Sequence, residues 1–215
     1  MTLTDWNPQL NKDRLMNEIE YKENCLRTES LIPQESPIEV DILMESLALS
    51  STVGTLNNLI KKKLFYGSKI THDDMLKACE VIQEHLKAVI DEVQTAAQAD
   101  TARETKVSKR LLHAIIGHVT EAGELADAGV KALVEDHVSG HTVINVMEEL
   151  GDADWYSSIA IDYLQVSRPD IWDRNIRKLS KRFPNQQFSN FHAENRDLEK
   201  ELKELQQSND LLGKD

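Results

Sequence analysis

The sequence predicts an all-α protein built as a helical bundle, and three observations carry that prediction. Most apolar residues recur at spacings of three and four, the repeat of one helix face. Glycine and proline, the usual helix breakers, number only 8 and 5 among 215 residues. Runs of β-branched or aromatic residues that would read as strands are few. With 40% apolar residues, the chain is long enough to bury a real core in one medium domain or two small ones.

Local signals place the elements. Asn7 before Pro8 is a good N-cap with proline at the first helical position, and opens a helix expected over about 8–27. Leu15, Ile19 and Leu26 keep helical spacing along it. Residues 28–37, with Ser30, Pro33, Ser36 and Pro37, read as a loop. A second helix, about 38–64, is broken by Phe65-Tyr66-Gly67-Ser68. Thr71 caps a third, about 72–98, with Asp74 in the place of a capping-box acid. After a polar hinge at 99–103 come a fourth helix, about 104–135, a connection through Ser139-Gly140, and a fifth helix, about 142–166. Ser167-Arg168-Pro169-Asp170 opens a sixth that ends before Pro184. Residues 185–192 read as a loop. The charged tail from Ala193 reads as a helix with Leu198, Leu202 and Leu205 on one stripe, either packing on a partner or fraying.

A formal net charge of −12 excludes the broad basic face that nucleic-acid backbone requires. A phosphate substrate remains compatible when metal ions stand between the two negative partners. Cys25 and Cys79 lie far apart and fit reduced thiols rather than a disulfide. Residues 1–12 lack the apolar centre of a signal peptide, and no run approaches the ~20 apolar residues of a membrane span. The expected setting is the cytoplasm, with neither nucleic acid nor membrane as partner.

The chemistry concentrates in two helical segments. His118-Val119-Thr120-Glu121-Ala122-Gly123-Glu124-Leu125 and Met147-Glu148-Glu149-Leu150-Gly151-Asp152-Ala153-Asp154-Trp155-Tyr156 each carry an acid pair three apart, so each helix presents two carboxylates on one side. A short turn joins the helices, which should pack antiparallel. Leu112, Ile115, Ile116, Val119 and Leu125 are the expected inward stripe of one helix; Val146, Leu150, Ile159 and Ile161 are that of the other. Acids at the edge of such a core repel one another, and a hard divalent cation relieves the repulsion. All-oxygen ligation points to Mg²⁺ or Mn²⁺ rather than Zn²⁺. Acid pairs at this spacing also occur on solvated faces. The small residues Ala122, Gly123, Gly151 and Ala153 between the acids favour the metal reading. Downstream, Lys178, Lys181 and Arg182 share a helix face. They either complement the negative end of their helix or bind phosphate oxygens.

Glu121-x-x-Glu124 followed by Glu149-x-x-Asp152, with Trp155-Tyr156, resembles the MazG-like nucleotide pyrophosphohydrolases. The stretch Asn175 to Pro184, with Phe188 and Asn195-Arg196-Asp197, looks like the C-terminal signature of phage and bacterial members, so the resemblance covers about residues 105–200. It implies a helical bundle that hydrolyses a nucleoside or deoxynucleoside triphosphate to the monophosphate and pyrophosphate with Mg²⁺. It implies Glu121, Glu124, Glu149 and Asp152 as metal ligands, one of them helping to activate water. It also implies Lys178, Lys181, Arg182 and Asn195 near substrate and a bacterial or phage-infected host cell as the setting. A homodimer is expected because the tail and the outer faces of the bundle are otherwise unassigned. Trp155 and Tyr156 either stack on a base or belong to the core. His113 either lies near the base, as its counterpart in the family does, or packs. His137 and His141 read as a solvated loop, because Ser139-Gly140 interrupts any continuous helix between them.

Shifting the chain by 69 residues aligns 43–95 with 112–164 without a gap. Thr52, Thr55 and Gln83 then replace three of the four acids, and only Glu80 falls on Glu149. Lys61-Lys62-Lys63-Leu64-Phe65-Tyr66-Gly67 resembles a segment that family members carry after the first acid helix. The expected organisation is an N-terminal helix and loop (1–37), a degenerate, catalytically silent helical repeat (38–98), a catalytic half (99–192) and a charged helical tail (193–215). The alternative function is a non-catalytic nucleotide-binding or adaptor protein on the same fold.

Overall fold

A computed structural model describes residues 16–30 and 32–206. They form α1 (Glu18–Thr28), α2 (Val40–Phe65), α3 (His72–Ala96), α4 (Lys109–Glu135), α5 (Gly140–Tyr163), α6 (Arg168–Arg182), α7 (Asn190–Glu194) and α8 (Leu198–Gln206). The all-α class is therefore right. Among the described residues extended pairing is confined to one isolated bridge, Ile38 with Arg103. None of the helices is long and apolar enough to cross a membrane.

Caps set most boundaries. Asn17 makes a full capping box with Glu20, so α1 begins at Glu18, and residues 16 and 17 precede it. The Asn7-Pro8 start lies outside the described residues. Thr71 and Asp74 form the expected box at the head of α3. The fourth helix starts at Lys109, later than expected, because Ser108 accepts from the Leu111 amide at 3.4 Å. Ser139 caps the fifth at the Thr142 amide, 3.1 Å away, and brings its start forward to Gly140. Gly67 ends α2 in the left-handed region at φ +65°. Ser189 caps α7 inside a stretch expected to be partly loop.

The chain divides into two compact units, each discontinuous in sequence. The first combines residues 16–34 with 107–168; the second combines 35–106 with 169–206. In the first unit α4 and α5 form an antiparallel hairpin and α1 packs on α5. Arg110 of α4 joins all three helices. Its guanidinium grips Glu29, just past α1, at 2.5 and 2.6 Å, and reaches Asp162 of α5 at 2.8 Å.

The seam between α4 and α5 differs from the expected stripe. Ala114, Gly117, Glu121 and Ala128 are the buried positions described on α4 beyond Lys109, and Thr142, Glu149, Ser158, Ile159 and Ile161 those on α5. Ile115, Leu125 and Leu150 are exposed. Small side chains let the helices approach closely, and the larger apolar residues flank the seam. Gly117 is required there: a Cβ would lie 2.1 Å from the Tyr156 ring.

In the second unit α2 packs on α3. The Ile38–Arg103 bridge, with Arg103 also on Asp41 at 2.9 Å, ties the residue range's two ends together. Buried Glu201 of α8 holds both Arg182 and Arg196, and Lys181 pairs with Glu204. Tyr66 and Phe183 each pack against Phe188.

Candidate functional site

Glu121 and Glu124 stand one turn apart on α4, and Glu149 comes from α5. One carboxylate oxygen of each lies within 4.8 Å of the others. Glu121 and Glu149 are 8% and 7% exposed, whereas Glu124 faces solvent. Glu121 accepts from the Thr120 hydroxyl at 3.1 Å. Oε2 of Glu149 is buried without a hydrogen-bond partner. No lysine or arginine pairs with any of the three among the described residues.

Three carboxylates this close cannot all stay ionised without compensation. Burial pushes the Glu149 carboxyl above the usual range, and a hydrogen bond to Glu121 and the charges of Glu124, Glu121 and Glu148 add to the shift. The Tyr156 phenol is raised by burial and then by Glu121, Asp152 and Glu124. The orphaned oxygen, the all-carboxylate donor set and the absence of a basic partner together fit a hard divalent cation. Asp152, also expected among the ligands, is exposed and lies outside the three-oxygen group. Gly123 and Gly151 border open space, since a Cβ at either would meet nothing within 4 Å.

Around the acids, α1 supplies contacts that no sequence motif announces. Tyr21 donates to the Gly151 carbonyl at 2.9 Å, and the Trp155 indole donates to the Thr28 hydroxyl at 2.9 Å. Trp155 and Tyr156 pack edge to face, 4.8 Å between centroids, and His113 packs edge-on against both. His118 meets the Ser157 hydroxyl at 3.2 Å. Of these, Trp155, Tyr156, His113 and Gly151 stand out in the sequence, whereas Tyr21, Thr28 and Ser157 leave no signal there.

The expected phosphate-binding residues lie in the second unit. Arg182 makes a two-pronged pair with Glu201 at 2.9 and 2.6 Å, and Lys181 reaches Glu204 at 3.1 Å. Asn195 follows α7 and donates to the Phe191 carbonyl. Lys178 is half-buried and has no hydrogen-bond or ion-pair partner among the described residues. His137 lies within hydrogen-bond distance of the Glu135 carbonyl; among the described residues neither it nor His141 joins a cluster of three ligand-type residues. Cys25 and Cys79 are free thiols.

Comparison with family models, with curated proteins and with solved structures finds no significant match to this chain.

Proposed function

We propose that this protein is a divalent-cation-dependent nucleoside triphosphate pyrophosphohydrolase. The observation that carries the reading is the convergence of Glu121, Glu124 and Glu149, two of them buried and one with an unpartnered oxygen. These three would hold the cation, and the motif resemblance adds Asp152, one turn beyond Glu149. Bound there, Mg²⁺ or Mn²⁺ supplies the positive charge that lets a triphosphate approach the acids and makes water at the site more acidic. Glu149, whose proton affinity burial has raised, or solvent-facing Glu124 takes the proton of the attacking water. The water oxygen bonds to phosphorus, the α–β phosphoanhydride bond breaks, and its electrons leave with pyrophosphate. Of the basic residues that the motif resemblance puts near substrate, we take Lys178 as the one that binds phosphate, because Arg182 and Lys181 already hold carboxylates.

The degenerate-repeat reading is supported by helix positions. Val40 to Lys109 is an offset of 69 residues and His72 to Gly140 one of 68, close to the 69-residue shift of the sequence alignment, in which three of the four acids are replaced and Glu80 stands at the place of Glu149. A homo-oligomer in the cytoplasm completes the proposal. It is supported by exposed Leu133, Val134, Val138 and Ile144 at the α4–α5 turn. The same apolar turn favours the second reading, a non-catalytic adaptor.

Incubation with a panel of ribo- and deoxyribonucleoside triphosphates, with Mg²⁺ or Mn²⁺ and separation of products, tests the first reading. Monophosphate and pyrophosphate are expected. Inorganic phosphate alone, or no turnover, overturns it and leaves the adaptor.

A further inference from the structure

The first unit contains a second feature that the acid cluster does not use. A cleft of about 530 Å³ opens between α1 and α5, walled by Tyr21, Asn24, Cys25 and Thr28 on one side and by Gly151, Asp152 and Trp155 on the other. Its volume falls within the ~300–1,000 Å³ typical of small-ligand pockets, and its lining is mostly apolar. Asp152, one turn along α5 from Glu149, forms part of the wall, so the cleft and the acid cluster are contiguous along the helix. Gly151 beside it carries no side chain to fill the space.

The walls are held rigid. The Trp155 indole N–H is fixed on Thr28, and the Thr28 hydroxyl itself donates to the Cys25 carbonyl at 3.0 Å. Tyr21 is fixed on the Gly151 carbonyl. These bonds occupy the polar atoms of Tyr21, Thr28 and Trp155 and leave their apolar faces to the cleft, a setting that suits a flat heterocycle. Arg27, held on the Asn24 side-chain carbonyl at 3.2 Å, and Asp152 bring charge to its lining. Asn24 is the neutral polar group left with a weakly held proton. Its amide nitrogen donates to the Glu20 carbonyl at 2.8 Å, and its other approach is a long 3.9 Å contact to the Met16 sulfur. One N–H is thus held only by a weak acceptor and is free to meet a better one.

We infer that this cleft binds the base of a nucleotide, with Trp155 as a wall for the ring and Asn24 as the donor that reads its edge. The inference rests on the proposed function for the identity of the ligand class, and on the cleft alone for its place. An apolar slot at one end and an acid cluster at the other match the two ends of one molecule, a heterocycle and a polyphosphate. Asn24 then favours bases that turn a carbonyl or ring nitrogen toward it. Exchanging its amide for an apolar side chain should alter the ranking of bases more than the overall affinity.

The test uses nucleosides, which lack phosphate, and the full chain freed of divalent cations. Calorimetry with the four common nucleosides should detect binding, weakened at least tenfold by Trp155→Leu. Asn24→Leu should change the order of the four by at least threefold for one pair. Far-ultraviolet circular dichroism checks that both variants fold. Should Trp155→Leu fail that check, alkylation of wild-type Cys25, followed by peptide mapping, gives the same answer. A saturating nucleoside should slow modification of Cys25, in the cleft wall, and leave Cys79 unchanged. Triphosphate hydrolysis whose KM and base preference ignore both variants overturns the cleft assignment and leaves the hydrolase reading standing. Nucleoside binding that both variants disturb, with no hydrolysis of any triphosphate, does the reverse. No nucleoside binding and no protection of Cys25 removes the inference outright.

Discussion

The buried carboxyl of Glu149 sets the behaviour of the site at the scale of single residues. Its proton affinity is raised in the folded state. The folded protein therefore binds more protons than the unfolded chain above the ordinary glutamate pKa, and stability of the metal-free form declines as pH rises through that interval. Glu149→Gln should flatten this slope and raise the neutral-pH melting temperature without metal, as read by thermal denaturation across pH. In the wild type, Mg²⁺ at a hundred times its Kd should add ~2.7 kcal/mol, or roughly 5–10 °C for a chain of this size, and the Gln variant should lose that gain. A metal response equal in both proteins would reduce the acids to a solvated cluster. Gly117 illustrates competing effects. Alanine there gains about 1 kcal/mol of helix propensity. The new Cβ, 2.1 Å from Tyr156, forces the ring out of the seam. Overpacking of that kind costs ~1–3 kcal/mol, so Gly117→Ala should destabilise on balance in urea unfolding, and a concurrent Tyr156→Leu should relieve the loss.

Among the elements, helix existence was legible because it depends on local periodicity and caps. Thr71 reads as a cap and is one. Ser108 and Ser139 cap the next two helices by equally short-range bonds but do not stand out as caps in the sequence, which is why the starts of α4 and α5 fall a few residues from those expected. Which face of α4 would be buried was not legible. Periodicity favoured Ile115 and Leu125, whereas the close approach of α5 selected Ala114, Gly117 and Ala128, a choice that depends on a partner distant in sequence. The acids Glu121, Glu124 and Glu149 were legible by spacing, but the contacts of Tyr21 and Thr28 with the acid helix span more than a hundred residues and leave no local trace. Likewise, the basic face of α6 invited a substrate role, and only the fold reveals that α8 supplies Glu201 to Arg182. Those arginines hold the Glu201 carboxyl at about 2, below its ordinary 4.5. The contribution of this clasp is full above about pH 4.5 and is lost as pH falls toward 2. Glu201→Gln should cost ~1.5–3 kcal/mol at neutral pH, and hydrogen exchange should locate the loosening in α6 and α8. Lys178→Ala, by contrast, should leave stability unchanged and raise KM for a triphosphate by about tenfold or more, the loss of a charge-assisted hydrogen bond of ~1.5–3 kcal/mol. Unchanged kinetics would remove Lys178 from the site.

For the whole molecule, the interleaving of the two units governs what can be cut away. A fragment of residues 100–215 retains α4 and α5 but lacks Glu29, the main partner of Arg110, and one wall of the α1–α5 cleft. It should aggregate or be inactive, as size-exclusion chromatography with a hydrolysis assay would reveal; a soluble and fully active fragment would make the earlier residues an appendage. Interleaving also has a consequence for biosynthesis. The segment carrying α1 leaves the ribosome first, yet its partners in α4 and α5 follow only after residues 35–106, which belong to the other unit. At ~5–20 residues per second, α1 waits on the order of ten seconds with its apolar side uncovered. During that wait it is a natural client for a chaperone, and a nascent chain stalled before residue 107 should be cleaved at α1 by a protease that spares the finished protein.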